Sequence, residues 1–225
     1  MAAVMLVLAV WLIYAADRLL DAWRGTWTER LPRHEFYRRN WSVVVPVWIS
    51  VLALSGWLAW TRLQTTLFTR GVALLAAIGL YFFIVHRLKW IWPKELAVAV
   101  LFALGASLAA WGHIQSPVDA ATIVLFSCLC WINCAAIEKW ESDKWESRSV
   151  AEWPVAAAAF CVAAAAVILL STHRPVLSGA EAASALAFVA LDRRSNRLSR
   201  EALRVLADVA LLTPLLFLPL AGTLT

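Results

Sequence analysis

Charge is scarce in this sequence. Asp, Glu, Lys and Arg make up 16% of its 225 residues, where soluble domains carry roughly a quarter. Hydrophobic residues account for 62%, and the mean hydropathy is +0.73. So apolar a chain is neither a soluble globular domain nor a disordered one. Its net charge of +5 and pI near 9.3 do not make it a nucleic-acid-binding domain. Cysteine is also sparse. Cys128, Cys130, Cys134 and Cys161 all lie inside apolar runs, none with CxxC spacing or a histidine beside it. That excludes a zinc site and a disulfide framework and leaves four small buried hydrophobes. A Gly-rich phosphate loop, an HExxH pair and a nucleophile elbow are all missing, which removes ATP-driven transport and hydrolase chemistry. His34, His86, His113 and His173 stand in loops or at the ends of apolar runs, none paired with a serine or cysteine.

What the chain does have is apolar runs, at about 1–16, 41–60, 67–85, 96–112, 120–137, 154–171, 178–191 and 205–223. At roughly 20 apolar residues per crossing, this is an all-α, polytopic transmembrane bundle of eight spans, one integral membrane domain over 1–225. The first run has no basic residues before it, and a cut after Ala16 would leave bulky Tyr14 at the −3 position, so it reads as a retained span. The seventh is short and carries Glu181. Basic residues test the count. Alternate loops, after spans 1, 3, 5 and 7, hold 17 of the 20 Lys and Arg. The positive-inside rule predicts that pattern for eight spans with both ends outside. Dropping the seventh span would strand Arg193, Arg194, Arg197, Arg200 and Arg204 in a short outside loop. Ten of the fourteen tryptophans fall at or just beyond a span end, where indole anchors at the membrane interface. The small residues of the sixth run, Ala156–Ala166, allow close helix approach and a central place in the bundle. Pro46, Pro214 and Pro219 are expected to kink their helices. The Ala- and Trp-rich make-up points to a bacterial inner membrane.

In such a chain the acids are the informative residues. Asp17 and Asp21 end the first span at i, i+4, on one helix face and about 6 Å apart. Glu138 and Glu141 end the fifth at i, i+3, with Asn133 more than a turn deeper. Both pairs fall on the inside by the charge count. Paired carboxylates suit Mg²⁺, a hard cation that takes a few carboxylates and keeps water or phosphate oxygens. Arg18, Arg33, Arg38, Arg39, Arg87, Lys89 and Lys94 could hold a diphosphate. The alternative is ordinary ion pairing at the membrane surface: Asp17 with Arg18 or Arg24, and Glu138 and Glu141 with Lys139 and Lys144. Arg204 and Asp208, at i, i+4, read as a structural ion pair or as a third wall of an inside cavity. No span interior is expected to bury a charge, so a transporter finds no support here.

Placed together, the two acidic helix ends resemble those of the UbiA-type intramembrane prenyltransferases. That family has nine spans, with N-D-x-x-D-x-x-x-D after the second and D-x-x-D-x-x-x-D after the sixth. If this chain lacks the family's first helix, its spans 1 and 5 take those places. Asp17 and Asp21 then match the final D-x-x-x-D, with Ile13 and Tyr14 where the family has Asn-Asp. Glu138 and Glu141 match D-x-x-D, and Trp145 stands where the third acid would be. The segment Arg87-Leu88-Lys89 to Pro93-Lys94-Glu95 is similar to the family's basic central loop. The resemblance implies transfer of a prenyl group from a prenyl diphosphate to an apolar acceptor. It also implies Mg²⁺ on Asp17, Asp21, Glu138 and Glu141, and substrate contacts from Arg33, Arg38, Arg39, Lys89, Lys94 and Asn133. The other expectation is a non-catalytic membrane scaffold, assembly or lipid-binding protein that kept the bundle and lost the metal motifs.

Overall fold

In the computed structural model of the protein the first seven apolar runs fall on helices, and the eighth begins on one that is described to Leu212. The structure describes residues 2–24, 32–88, 94–114, 116–141, 155–170 and 175–213. Among them the regular elements are helices, with no strand: α1 (Ala2–Arg24), α2 (Pro32–Arg39), α3 (Trp41–Arg62), α4 (Thr65–Leu88), α5 (Lys94–Ser107), α6 (Pro117–Glu141), α7 (Val155–Leu170), α8 (Pro175–Arg194) and α9 (Arg200–Leu212). A 3₁₀ turn at Leu108–His113 prolongs α5, and another at Ser195–Arg197 links α8 to α9. Three stretches are long and apolar enough to cross a membrane: Trp41–Arg62, Glu95–Gly112 and Pro117–Trp140. Val4–Ala16, Thr65–Tyr81 and Val155–Leu170 are shorter apolar helices. The chain is thus a helical bundle with the make-up of an integral membrane protein.

It divides into two compact units, residues 1–73 and 74–225. In the first, α1 packs on α3, and α2 touches both. The indole Nε1 of Trp48 donates to the Leu12 carbonyl at 2.9 Å, tying α3 to α1 by a polar contact deep in an apolar helix pair. Trp60 and Phe68 meet edge to face, ring centres 5.6 Å apart. Only Ser55 of α3 is buried, its hydroxyl turned back to the Val51 carbonyl at 2.7 Å. Val43, Val47, Ile49, Leu54, Trp57 and Trp60 are exposed around the same helix. A helix apolar all round with so little of it covered is what a lipid-facing span requires. Pro46 lies inside α3, which continues through it to Arg62, and the Ser50 hydroxyl bonds the Pro46 carbonyl. Pro214 and Pro219 lie outside the described residues.

The second unit is built around α6, α7, α8 and α9. Its core joins Leu129, Ile132 and Ala136 of α6 to Val155, Ala159, Val162 and Ala163 of α7. Ala185 and Phe188 of α8 and Ala207 and Ala210 of α9 complete it. α7 and α8 make the most extensive helix pair. The reason is in the side chains: Ala159, Ala163 and Ala166 line the buried side of α7, and Ala180, Ala182 and Ala185 that of α8, so the backbones can approach closely. The other side of α7, with Phe160, Val167 and Ile168, is exposed. α5 packs on α6. A methyl added at Gly105 of α5 would stand 3.3 Å from Leu74 Cδ2 of α4, so the glycine marks a close approach.

Local signals fix the helix starts. Pro117 opens α6 just after Ser116, whose hydroxyl accepts from the Asp119 amide (3.2 Å) while Asp119 Oδ2 accepts from the Ser116 amide (3.1 Å). This reciprocal cap satisfies two otherwise orphaned donors. Ser199 caps α9 by accepting from the Ala202 amide at 3.2 Å.

Candidate functional site

α1 runs unbroken from Ala2 to Arg24, so Asp17 and Asp21 stand one turn apart on a continuous helix. α6 likewise runs through Glu141, which puts Glu138 and Glu141 at i, i+3 on its last turn. Glu138 is half-buried. The side chains of Asp17, Asp21, Arg33, Lys94 and Glu141 lie outside the described residues, as do Lys89 and Trp145 entirely. Arg38 and Arg39 are exposed in the last turn of α2. Asp17, Asp21, Arg33, Arg38 and Arg39 belong to the first unit, and Lys94, Asn133, Glu138 and Glu141 to the second.

Within the second unit the structure gathers polar side chains that the sequence reading kept apart. Asn133, 9% exposed, donates from Nδ2 to Asp208 Oδ1 of α9 at 3.3 Å. Asp208 therefore reaches across to α6. Toward the ends of α6 and α8, Lys139 Nζ meets Asp192 Oδ1 at 2.8 Å, and the Trp140 indole donates to the same oxygen at 3.4 Å. Trp140 thus holds a helix partner as well as standing near a span end. Among the cysteines, Cys130 is buried, Cys128 and Cys134 are half-buried and Cys161 is exposed, all free. The expectation of a buried thiol fails at Cys161, because it lies on the side of α7 turned away from α8.

A second expectation is overturned on α8. Glu181 is 2% exposed, and the hydroxyls one turn to either side belong to fully buried Ser178 and Ser184. Ser184 Oγ turns back to the Ala180 carbonyl at 3.2 Å. Glu181 Oε2 and Ser178 Oγ, like Asn133 Oδ1, have no hydrogen-bond partner among the described residues. A helix interior does bury an ionisable group after all. The run Ser178-Gly-Ala-Glu181-Ala-Ala-Ser184 carried the signal, since polar residues at three-residue intervals share one side of a helix otherwise made of alanine. Read as an interruption of an apolar run, it was missed.

Among the described residues no three His, Cys, Asp or Glu side chains cluster as a metal-ligand group. The acid pairs offer another kind of donor set, two carboxylates one turn apart on each of two helices. Hard oxygen donors in pairs fit Mg²⁺, which asks a protein for only one or two carboxylates. No family model, no curated protein and no solved structure matches the chain.

Proposed function

We propose that the chain is a UbiA-like integral membrane prenyltransferase of eight spans, both ends outside, in a bacterial inner membrane. It moves a prenyl group from a prenyl diphosphate to an apolar acceptor with Mg²⁺. The observation that supports this reading is the continuity of α1 through Asp17 and Asp21 and of α6 through Glu138 and Glu141. Each acid pair is held at one-turn spacing, as metal ligands on a helix must be. Asp17 with Asp21, and Glu138 with Glu141, are the residues that would hold Mg²⁺, each pair a ligand set in its own right. When bound, the ion stabilises the charge on the departing diphosphate. Arg33, Arg38, Arg39, Lys89 and Lys94 orient the diphosphate oxygens, guanidinium forks giving paired hydrogen bonds and ammonium groups point charges. Asn133 offers a buried amide oxygen to the substrate. The apolar helix faces take the prenyl chain and exclude water from the reacting carbon.

The test is turnover of a panel of prenyl diphosphates in membranes, with and without Mg²⁺. Wild type is expected to turn over only with the ion, and Asp17→Asn/Asp21→Asn to lose activity by at least about a hundredfold, the scale of losing a catalytic electrostatic contact. One observation favours the second reading, a non-catalytic scaffold, assembly or lipid-binding protein. Ile13 and Tyr14 occupy the positions of the family's first Asn-Asp pair, with Tyr14 half exposed on α1. Wild-type protein that turns over no prenyl diphosphate of any length decides for it.

A further inference from the structure

We infer that Glu181 is a proton-binding site in the interior of the second unit, where the carboxyl takes up and releases a proton one helical turn from the unpaired hydroxyl of Ser178. The inference starts from depth. Asp192, joined to Lys139 of α6, marks the arginine-rich end of α8. Glu181 lies eleven residues before it, about 16 Å along the axis at the helical rise of 1.5 Å per residue. That is about half of a bilayer's hydrocarbon thickness. An ionisable group at that depth, closed off from lipid by its neighbours, is a functional site by default, because its charge is costly and an alanine would pack as well.

The surroundings decide what it binds. The Lys139–Asp192 contact puts α6 and α8 in register, so Cys128 and Cys130 are the titratable groups of α6 level with Glu181. Both are neutral as thiols. Glu138 and Lys139 stand at the Asp192 end, and Asp119 at the opposite end of α6. α7 carries one titratable side chain, Cys161, exposed away from α8. On α9, Asp208 is engaged by Asn133, about one and a half turns of α6 from the level of Glu181. Arg200, Glu201 and Arg204 precede it toward the Asp192 end. Arg193 and Arg194 close α8 itself and are exposed. No cation among these is positioned to pair with the carboxylate. A divalent ion fits poorly, because Mg²⁺ and Ca²⁺ complete their six to eight ligands with water or further oxygens, and Glu181 is closed off from water at 2% exposure. Here Glu181 Oε2 and Ser178 Oγ are the two without partners, and the Ser184 hydroxyl is already given to Ala180. A proton needs a single carboxylate oxygen, and α8 supplies one with an unpaired hydroxyl three residues away.

Its depth rests on the proposed crossing of α8, but the site lies wholly in α8 and uses none of the acid pairs, so it stands or falls apart from the prenyl-transfer chemistry. The test uses full-length protein in lipid nanodiscs. A protonated carboxyl buried in an apolar setting adds its O–H across a C=N bond of dicyclohexylcarbodiimide. The carboxylate oxygen bonds to the central carbon, the proton goes to nitrogen, and acyl migration leaves a stable N-acylurea. Mapping by mass spectrometry is expected to find that adduct on Glu181 with the hydrophobic reagent and not with a water-soluble carbodiimide. Labelling should fall at least tenfold as pH is raised. Infrared difference spectra should show a protonated-carboxyl band that titrates in wild type and is lost in Glu181→Gln, a neutral isostere whose folding is checked by its melting curve. Ser178→Ala should shift the titration of that band and leave it present. A band that stays constant with pH overturns the inference in favour of a permanently neutral structural acid. So does an absence of label at Glu181 while other carboxyls react. Protection from labelling by Na⁺ or K⁺ at fixed pH overturns it in favour of a cation site.

Discussion

At the scale of single residues, alanine does the work that leucine does in a soluble core. Ala159 of α7 is fully buried against its neighbours, whereas Ala157, two positions away, is exposed. Ala159→Leu inserts three carbons where helices already touch and is expected to destabilise the protein by about 1–3 kcal/mol, the usual cost of overpacking. Ala157→Leu adds the same atoms to an outward face and should change stability by less than about 0.5 kcal/mol. Thermal melts of both variants in one detergent check the contrast, and equal shifts would remove the α7–α8 packing argument. The Ala-rich run already announced close packing, because small side chains have few other uses in a span. What it left open was which alanines face inward, since a uniform alanine run has no apolar stripe to give a phase. The same blindness hid the exposure of Cys161 and the burial of Glu181. Composition tells what a helix is made of, but only its neighbours tell which side is covered.

At the scale of helices, much was legible. Apolar length and flanking arginines announce that α1 and α3–α9 are helices, and three stretches among the described residues are long and apolar enough to cross a membrane. α2 was not read in advance. Its eight residues, Pro32–Arg39, are mostly charged and aromatic, so no apolar periodicity announces it, and only the proline at its start hints at a helix. The pairing of helix ends was also hidden. Asp192 looked like part of a basic loop, yet it accepts from two groups of α6, Lys139 at 2.8 Å and the Trp140 indole at 3.4 Å. Asp192 is the more buried partner, with 13% of its side chain exposed against 36% for Lys139. Lys139→Ala should therefore cost well under about 1 kcal/mol, as a lysine this open is largely solvated without its partner. Asp192→Ala strips both donors at once and should cost about 1 kcal/mol. Melting curves at low and high salt separate the two contributions. The lysine contribution is screened as salt rises, and the indole hydrogen bond persists. A larger loss for Lys139→Ala than for Asp192→Ala would mean that α6 and α8 are not joined at this end.

At the scale of the whole molecule, the proposed count of eight crossings turns on α8, which is not one of the three stretches long and apolar enough to cross by length and composition. Its 20 residues give about 30 Å of helix, enough for the hydrocarbon core, but two serines and Glu181 make it less apolar than its neighbours. Burial against α6, α7 and α9 answers that objection, because Ser178, Glu181 and Ser184 face protein instead of lipid. Sidedness follows from parity. If α8 crosses, Asn40 and Asn196 lie inside, and Gln64 and Ile114 outside. If it does not, Asn196 moves to the outside and takes five arginines with it, against the positive-inside bias. Single cysteines at Asn40, Gln64, Ile114 and Asn196, in a background with the four native cysteines replaced by alanine, read this directly. In intact cells a membrane-impermeant maleimide should label Gln64→Cys and Ile114→Cys. Asn40→Cys and Asn196→Cys should react only after permeabilisation, with a contrast of at least about tenfold, because a charged reagent does not cross the apolar core. Labelling of Asn196→Cys from outside would cut the proposed eight crossings to seven. It would also take Glu181 out of the membrane interior, since the helix that carries it would then lie on one side of the bilayer.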